Sequence, residues 1–503
     1  MSNKSLSAIK AKVFEHKFFF LLMAFYVFLS TFMLDKYPRV WVDEPWEAIT
    51  ASTLANEGKM YNPVLDHDSG FDKVFLQPRL LLSIAVAPVF AVFGVGFVQG
   101  RLVSAVCGAL LMIAVYLFTL KFFSKRSALL AVWFVMIETM MFISYRTIRS
   151  DIYLVMLESF SMLFLFQAMR ANSKKYFFWS GLFAGVALWT HPNAVLHVAA
   201  VGVILLLTYR GKVFFSRFSW TFAGALLLGV APYLVYVTVN DAHNSFSTFF
   251  LQLGDRTNIV SRQHWIITSV QGEWDRIVDY AQFPFRVPSI LIFAYFWITS
   301  IVSKKKETRY VAIAICVHAF LSFLLITNKT IYYSTSVLPL LCILTASGID
   351  ELLQGSQKTM VRLRKVLVRP FWRESAAGFL LFLLSLNQIA GDASLVWRHR
   401  NCSYEDTIHR LHAVIPPTAR VWGSMTFWFG FYGQPFRTQY TYLRDLNSFK
   451  PEYMITGDPE VWTKDSWKSI REKAEETVKL RGTLVGELPV NCYGQLRVYR
   501  LQW

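Results

Sequence analysis

Two carboxylates stand a few residues beyond the first apolar run, Phe18–Leu34: Asp43 and Glu44, within Trp41-Val42-Asp43-Glu44-Pro45-Trp46. A third acid, Asp151, follows Arg146 and Arg149 at another expected helix boundary. Such acids can take a proton from a weak nucleophile. Asp43 and Asp151 could also hold a hard divalent ion, Mg²⁺ or Mn²⁺, through oxygen, although two aspartates are too few to require one. Lys73, Arg79, Arg146, Arg149, Arg256 and Lys329 are cations suited to an anionic ligand, because Lys and Arg meet phosphate by charge and hydrogen bonds. His191, in His191-Pro192-Asn193, and Tyr332, close to Lys329, complete the candidate set. Each has a plainer alternative. An acid at the start of 152–169 is favoured by the helix dipole. A single basic side chain near a membrane surface snorkels. A histidine at a helix end often only packs.

These residues must be positioned by a membrane bundle. Of 503 residues, 54% are hydrophobic and only 17% charged, with a mean hydropathy of +0.38. That is too apolar for a soluble chain of this length, and runs of roughly 17–25 apolar residues, enough to cross a bilayer, recur throughout. No small-residue cleavage site follows the first run, which reads as a retained anchor. The net charge of +18 could suit nucleic acid. Its distribution points elsewhere, to basic clusters in alternate gaps between spans, the signature of cytoplasmic loops. Expected spans are 18–34, 100–120, 127–145, 152–169, 176–190, 194–209, 219–238, 288–302, 309–327, 331–347 and 375–390. Eleven spans from a cytoplasmic N-terminus leave the C-terminus outside and bring Asp43 and Asp151 to one outer face. Leu80–Phe97 is long enough to cross, but counting it would place the basic clusters outside. It is therefore expected to be juxtamembrane, bent by Pro88 and Gly94.

The expected organisation is a membrane domain over 1–390, with outer loops 35–99 and 240–287, and a polar α/β domain over 391–503. In the latter, helices are expected over 405–414 and 463–478, and strands over 419–423, 453–456, 483–487 and 496–501. Cys402 and Cys492 both fall there and could form a disulfide or remain free. Cys107, Cys316 and Cys342 lie in spans, and no Cys/His zinc spacing is present.

Four stretches, in order, carry a family resemblance: WVDEPWEAITASTLANEGKMYNP (41–63), DKVFLQPRLLLSIAVAPVFAVFGVGFVQGRLVSAVCGAL (72–110), SYRTIRSDIYLVMLESFSMLFLF (144–166) and GLFAGVALWTHPNAVL (181–196). Together they resemble the GT-C superfamily of membrane glycosyltransferases, in particular the bacterial branch related to protein O-mannosyltransferases and the lipid A aminoarabinose transferase. The resemblance covers about 15–345. It implies a GT-C fold and an inner-membrane enzyme that transfers a hexosyl or pentosyl group outside the cytoplasmic membrane. The donor would be a polyprenyl-phosphate-linked sugar and the acceptor a hydroxyl of a lipid, glycan or protein. The resemblance also implies roles for residues. Asp43 matches the principal acid of the first outer loop, Glu44 the acid that often follows it, and Asp151 the second acid. Lys73 is similar to the basic residue placed to meet the donor phosphate, and Lys329, Tyr332 and Pro339 to a late basic–aromatic–proline stretch. Gln77-Pro78 departs from the more usual His-Pro-Pro or Lys-Pro.

With Asp43 as base, direct displacement should invert the anomeric centre, and cations should stabilise the leaving phosphate. Lys73, Arg149 and Lys329 are candidates for the latter. A transporter or flippase of lipid-linked sugars is the alternative. Such a protein more often carries acids at mid-membrane, where Glu138 and Glu158 fall.

Overall fold

A computed structural model describes residues 16–65, 69–254, 265–283, 286–326, 330–354, 370–438, 446–459 and 468–503. A helix lies at each of the eleven expected span positions. In chain order the helices are α1 (Lys17–Thr31), α2 (Asp43–Glu57), α3 (Leu80–Phe93), α4 (Phe97–Phe122), α5 (Lys125–Ile137), α6 (Thr139–Ser144), α7 (Ser150–Ala171) and α8 (Lys174–Ala187). Next come α9 (Ala194–Tyr209), α10 (Arg217–Asp241), α11 (Ser247–Gly254), α12 (Trp265–Gln282), α13 (Val287–Ile301), α14 (Lys306–Leu325), α15 (Leu338–Gln354) and α16 (Pro370–Arg398). Among the described residues, six helices are long and apolar enough to cross a membrane. This is a multi-pass membrane protein.

The α3 helix has 14 residues. At about 1.5 Å each it spans ~21 Å, and like α1 and α13 it is a shorter apolar helix. It packs against α2 and α4. Three expected spans differ in detail. The stretch 127–145 is broken between α5 and α6 at Glu138, whose extended backbone lets its carboxylate accept from Met141 N at 2.9 Å. The side chain caps α6 and so replaces the helical continuation. The stretch 331–347 begins as a 3-10 turn, Ile331–Ser336, before α15 starts. The last helix runs on to Arg398, beyond the expected end at 390.

Helix contact within the bundle depends on small residues. Gly181 and Gly185 of α8 and Gly229 of α10 lie where a Cβ would meet the facing backbone. This is the close approach that glycines four apart permit between membrane helices.

Beyond α16 lies a five-stranded mixed sheet with order β2-β1-β3-β5-β4. Its strands are β1 (Val421–Gly423), β2 (Phe436–Thr438), β3 (Tyr453–Thr456), β4 (Gly482–Glu487) and β5 (Arg497–Leu501). The first three run parallel, and β5 is antiparallel to β3 and β4. Four of the expected strands and the helix Tyr404–His412 (α17) are present. β2 was not anticipated, and the helix expected at 463–478 is described from Lys468 to Arg481. Strand alternation divides the sheet. Trp422, Met454 and Leu501 pack with Ala474 of that last helix, while Val421, Ile455 and Val498 join the main core of the chain. Cys402 and Cys492 form a disulfide with a Cα–Cα distance of 5.6 Å.

Candidate active site

The sequence places Asp43 and Glu44 in the first turn of α2, and the fold gives them opposite fates. Glu44 is fully buried against Arg101 of α4, which donates from Nε at 2.8 Å and from Nη2 at 2.6 Å. Backbone N–H groups of Trp41 and Ile148 donate to the same carboxylate at 3.2 and 3.1 Å. Arg101 also donates to Leu34 O at 2.6 Å. Glu44 is thus a knot joining the end of the first helical region, α2, α4 and the loop before α7. This corrects its candidacy as a catalytic acid: four donors saturate it in a closed pocket.

Asp43 keeps 30% of its side chain exposed and pairs with Nη1 of Arg149. The same guanidinium donates from Nε to Asp151 at 2.8 Å and lies 3.9 Å from the centre of the Tyr332 ring. Arg149 caps the start of α7 in extended backbone and Asp151 sits in its first turn. Two loops distant in sequence therefore meet through one arginine. Burial works against the Arg149 charge, and the Asp151 and Asp43 carboxylates outweigh it, holding its pKa well above the ordinary arginine value. The guanidinium stands where an ion shared by Asp43 and Asp151 would have to sit. This arrangement does not fit a divalent metal there.

One turn beyond Asp43, on the same face of α2, Glu47 pairs with Nη1 of Arg79 at 2.5 Å. Glu47 is buried, and its other oxygen has no hydrogen-bond partner among the described residues. Burial pushes its carboxyl upward from the usual value, against the pull of Arg79. Arg79 in turn lines a cavity of about 200 Å³ with His191, Asn193 and Tyr333. The remaining wall includes Val195, Leu196, Leu325 and Ile326. His191 faces the Tyr333 ring at 5.3 Å, and its Nδ1 accepts from Asn193 N at 3.1 Å. Three carboxylates and two guanidiniums thus form one charged cluster, of which Arg79 lines the largely apolar cavity.

The other candidates divide. Arg146 is buried and donates to Phe32 O at 2.8 Å and Tyr37 O at 2.7 Å, and also to Leu29 O. It caps carbonyls that the end of α1 leaves unpaired, which corrects its assignment to substrate. Lys73 is exposed, and among the described residues no ion pair joins its ammonium to the Asp43 cluster. Arg256 and Lys329 lie outside the described residues. Glu47 was missed, although its spacing of four from Asp43 was visible.

Residues 80–236 match the family model described as dolichyl-phosphate-mannose-protein mannosyltransferase. The fold is similar to that of ArnT from Cupriavidus metallidurans, both in the apo state (TM-score 0.64) and bound to undecaprenyl phosphate (TM-score 0.62). In each case identity is 14%, and the match covers 96% of this chain and 98% of that one. It is also similar to AglB from Archaeoglobus fulgidus in complex with an inhibitory peptide and a dolichol-phosphate, at 12% identity and TM-score 0.54, covering 97% of this chain and 75% of that one. No curated protein matches the sequence. The chain shares the GT-C fold with these structures, and the match to the family model is confined to residues 80–236.

Proposed function

We propose that this protein transfers a sugar from a polyprenyl-phosphate donor to an acceptor hydroxyl on a lipid, glycan or protein. The observation that carries this reading is the joining of an apolar cavity, an arginine at its polar end and a partly exposed aspartate beside it. An isoprenoid phosphate has the matching chemistry, with an apolar chain ending in an anion. The structural relatives support it, since one is bound to undecaprenyl phosphate and another to a dolichol-phosphate.

In this reading Arg79 and Arg149 receive the phosphate charge. Asp43 accepts the proton of the acceptor hydroxyl as its oxygen attacks the anomeric carbon. The bond from that carbon to the phosphate oxygen breaks, polyprenyl phosphate leaves as an anion, and the configuration inverts. Asp151 holds Arg149 in place.

The site is assigned to the outer face of the cytoplasmic membrane, with the N-terminus inside. The disulfide supports this, because Cys402–Cys492 belongs to an oxidising compartment. It lies at the site's end of the bundle, where Tyr493 Oη accepts from Val40 N at 3.1 Å. The transporter alternative is not favoured, because Glu138 is committed to capping α6 and to the Tyr280 hydroxyl.

The test is transfer from a panel of radiolabelled polyprenyl-phosphate sugars by purified protein. Asp43→Asn should express and fold normally yet lose transfer by ~10²–10⁴-fold. Arg79→Gln should raise the donor KM more than it lowers kcat. Wild-type-like turnover by Asp43→Asn, or transport of intact donor with no sugar release, would overturn the proposal.

A further inference from the structure

Beneath the site, three ligating side chains converge inside the bundle: Glu158 of α7, His197 of α9 and His318 of α14. All three are buried, and one potential ligand atom from each lies within 4.8 Å of the others. Neither Glu158 oxygen, nor Nε2 of either histidine, has a partner at hydrogen-bond geometry among the described residues. The Ser336 hydroxyl stands near the carboxylate. Four unsatisfied polar atoms facing one another in an apolar bundle are costly, since each lacks the water it would otherwise keep.

The histidines are prepared as ligands. His318 Nδ1 lies 3.0 Å from the Ala314 carbonyl, one turn back on α14. A carbonyl can only accept, so Nδ1 carries the proton and Nε2 presents a lone pair. This is the outer-shell contact that metal-bound histidines ordinarily make.

We propose that Glu158, His197 and His318 bind a divalent ion of the zinc class. Two imidazoles and one carboxylate are an established three-ligand set for Zn²⁺, with a fourth position left for water or a hydroxyl. The dication offsets the buried carboxylate and satisfies all three side chains. Tetrahedral bonds of ~2.0–2.2 Å would set the ligand atoms ~3.4 Å apart, and side-chain rotation brings them there from their present spacing.

The placement assigns the ion an architectural task. Glu158 is seven residues, two turns, past Asp151 on the same face of α7. Ser336 ends the turn whose Tyr332 lies on Arg149. His197 follows Leu196, which lines the cavity. The ion therefore fastens α7, α9 and α14 together directly under the catalytic arginine. This site is separate from Asp43 and Asp151, and it stands whether or not the proposed transfer does.

The test uses the full chain in detergent or nanodiscs, stripped with a chelator and titrated with Zn²⁺. Bound metal is read by mass spectrometry and stability by the thermal midpoint. We expect about one zinc per chain, a midpoint that rises on loading, and loss of both in His197→Gln and His318→Gln. Asp43→Asn should keep the ion. X-ray absorption on the loaded wild type should count two imidazole ligands, a reading that holds even where the histidine variants do not fold. Absence of stoichiometric zinc in the wild type, zinc without imidazole ligands, or an ion retained by the histidine variants and lost in Asp43→Asn would each overturn the proposal.

Discussion

Replacing Glu44 separates a structural acid from a catalytic one. In Glu44→Gln the amide oxygen can accept from only one of Trp41 N and Ile148 N, which reach different oxygens of the carboxylate, and the charge that offsets Arg101 is gone. Both side chains are fully buried, so solvent does not screen the remaining cation. Breaking a buried ion pair from one side costs about 3–5 kcal/mol, because the survivor is left unpaired. Every 1.4 kcal/mol is tenfold in the folding equilibrium, so the folded-to-unfolded ratio should fall by roughly 10² to 4 × 10³. Adding Arg101→Met removes the stranded charge and should return part of that stability, about 2 kcal/mol, as a coupling in a double-mutant cycle. Arg101 also donates to Leu34 O, and that bond stays lost, so recovery is incomplete. The assay is denaturant unfolding in mixed micelles alongside transfer per folded molecule. The double variant should turn over at a rate close to wild type once corrected for folded fraction. A Glu44→Gln protein of normal stability with transfer reduced as far as in Asp43→Asn would refute the reasoning and return Glu44 to the chemistry.

The disulfide and Glu47 offer two more tests. Cys402 and Cys492 are 90 residues apart, for which chain entropy gives about 4–5 kcal/mol as an upper figure. Cys402→Ser/Cys492→Ser should lower the unfolding midpoint of the C-terminal unit and reduce transfer, since Arg39 Nη1 donates to Cys492 O at 2.8 Å; unfolding that matches wild type would contradict this. For Glu47, burial raises the folded-state pKa above the unfolded 4.5, so the folded protein binds this proton more tightly. Its contribution to stability is fully present below pH 4.5 and is lost as pH rises through the folded value. The stability difference between wild type and Glu47→Gln, followed from pH 4 upward, should therefore shift against the wild type; a difference flat with pH would show that the carboxyl titrates as in the unfolded chain.

Much of this architecture was legible in the sequence because lipid imposes simple rules. Apolar runs mark helices, and basic gaps fix parity, which brought Asp43 and Asp151 to one face before any contact was known. Pairing was not legible. Nothing local to Arg101, near the start of an expected span, announces Glu44 as its partner, because the two meet only when α2 docks on α4. Arg146 looked like a ligand for phosphate because its type and side were right, yet it caps carbonyls left over by α1. Glu47 was within reach, as an acid four residues after Asp43 in a stretch already read as helical. β2 has three residues between a turn and an undescribed segment, too few for a periodic signal. The break at Glu138 was hidden because an acid inside an apolar run reads as function, whereas a carboxylate can also end one helix and cap the next.

The polar tail is part of the machinery that holds Asp43. Residues 39 and 40, just before α2, are hydrogen-bonded to Cys492 O and Tyr493 Oη. At the other end of α2, Asn56 donates to Tyr432 Oη at 2.8 Å. Phe97, which opens α4, meets the Tyr404 ring edge-on at 5.2 Å. The C-terminal unit thus grips both ends of the helix that carries Asp43 and Glu47, as well as the start of the helix that carries Arg101. A base must be held within a fraction of an ångström of its proton to act, and α2 is a 15-residue helix in the loop between α1 and α4. The tail supplies that restraint, and its disulfide fixes the two segments that do so, one following α16 and the other carrying Tyr493. A cut after α16 would remove these contacts, so the membrane bundle and the α/β unit are joined through the helix on which the proposed base stands.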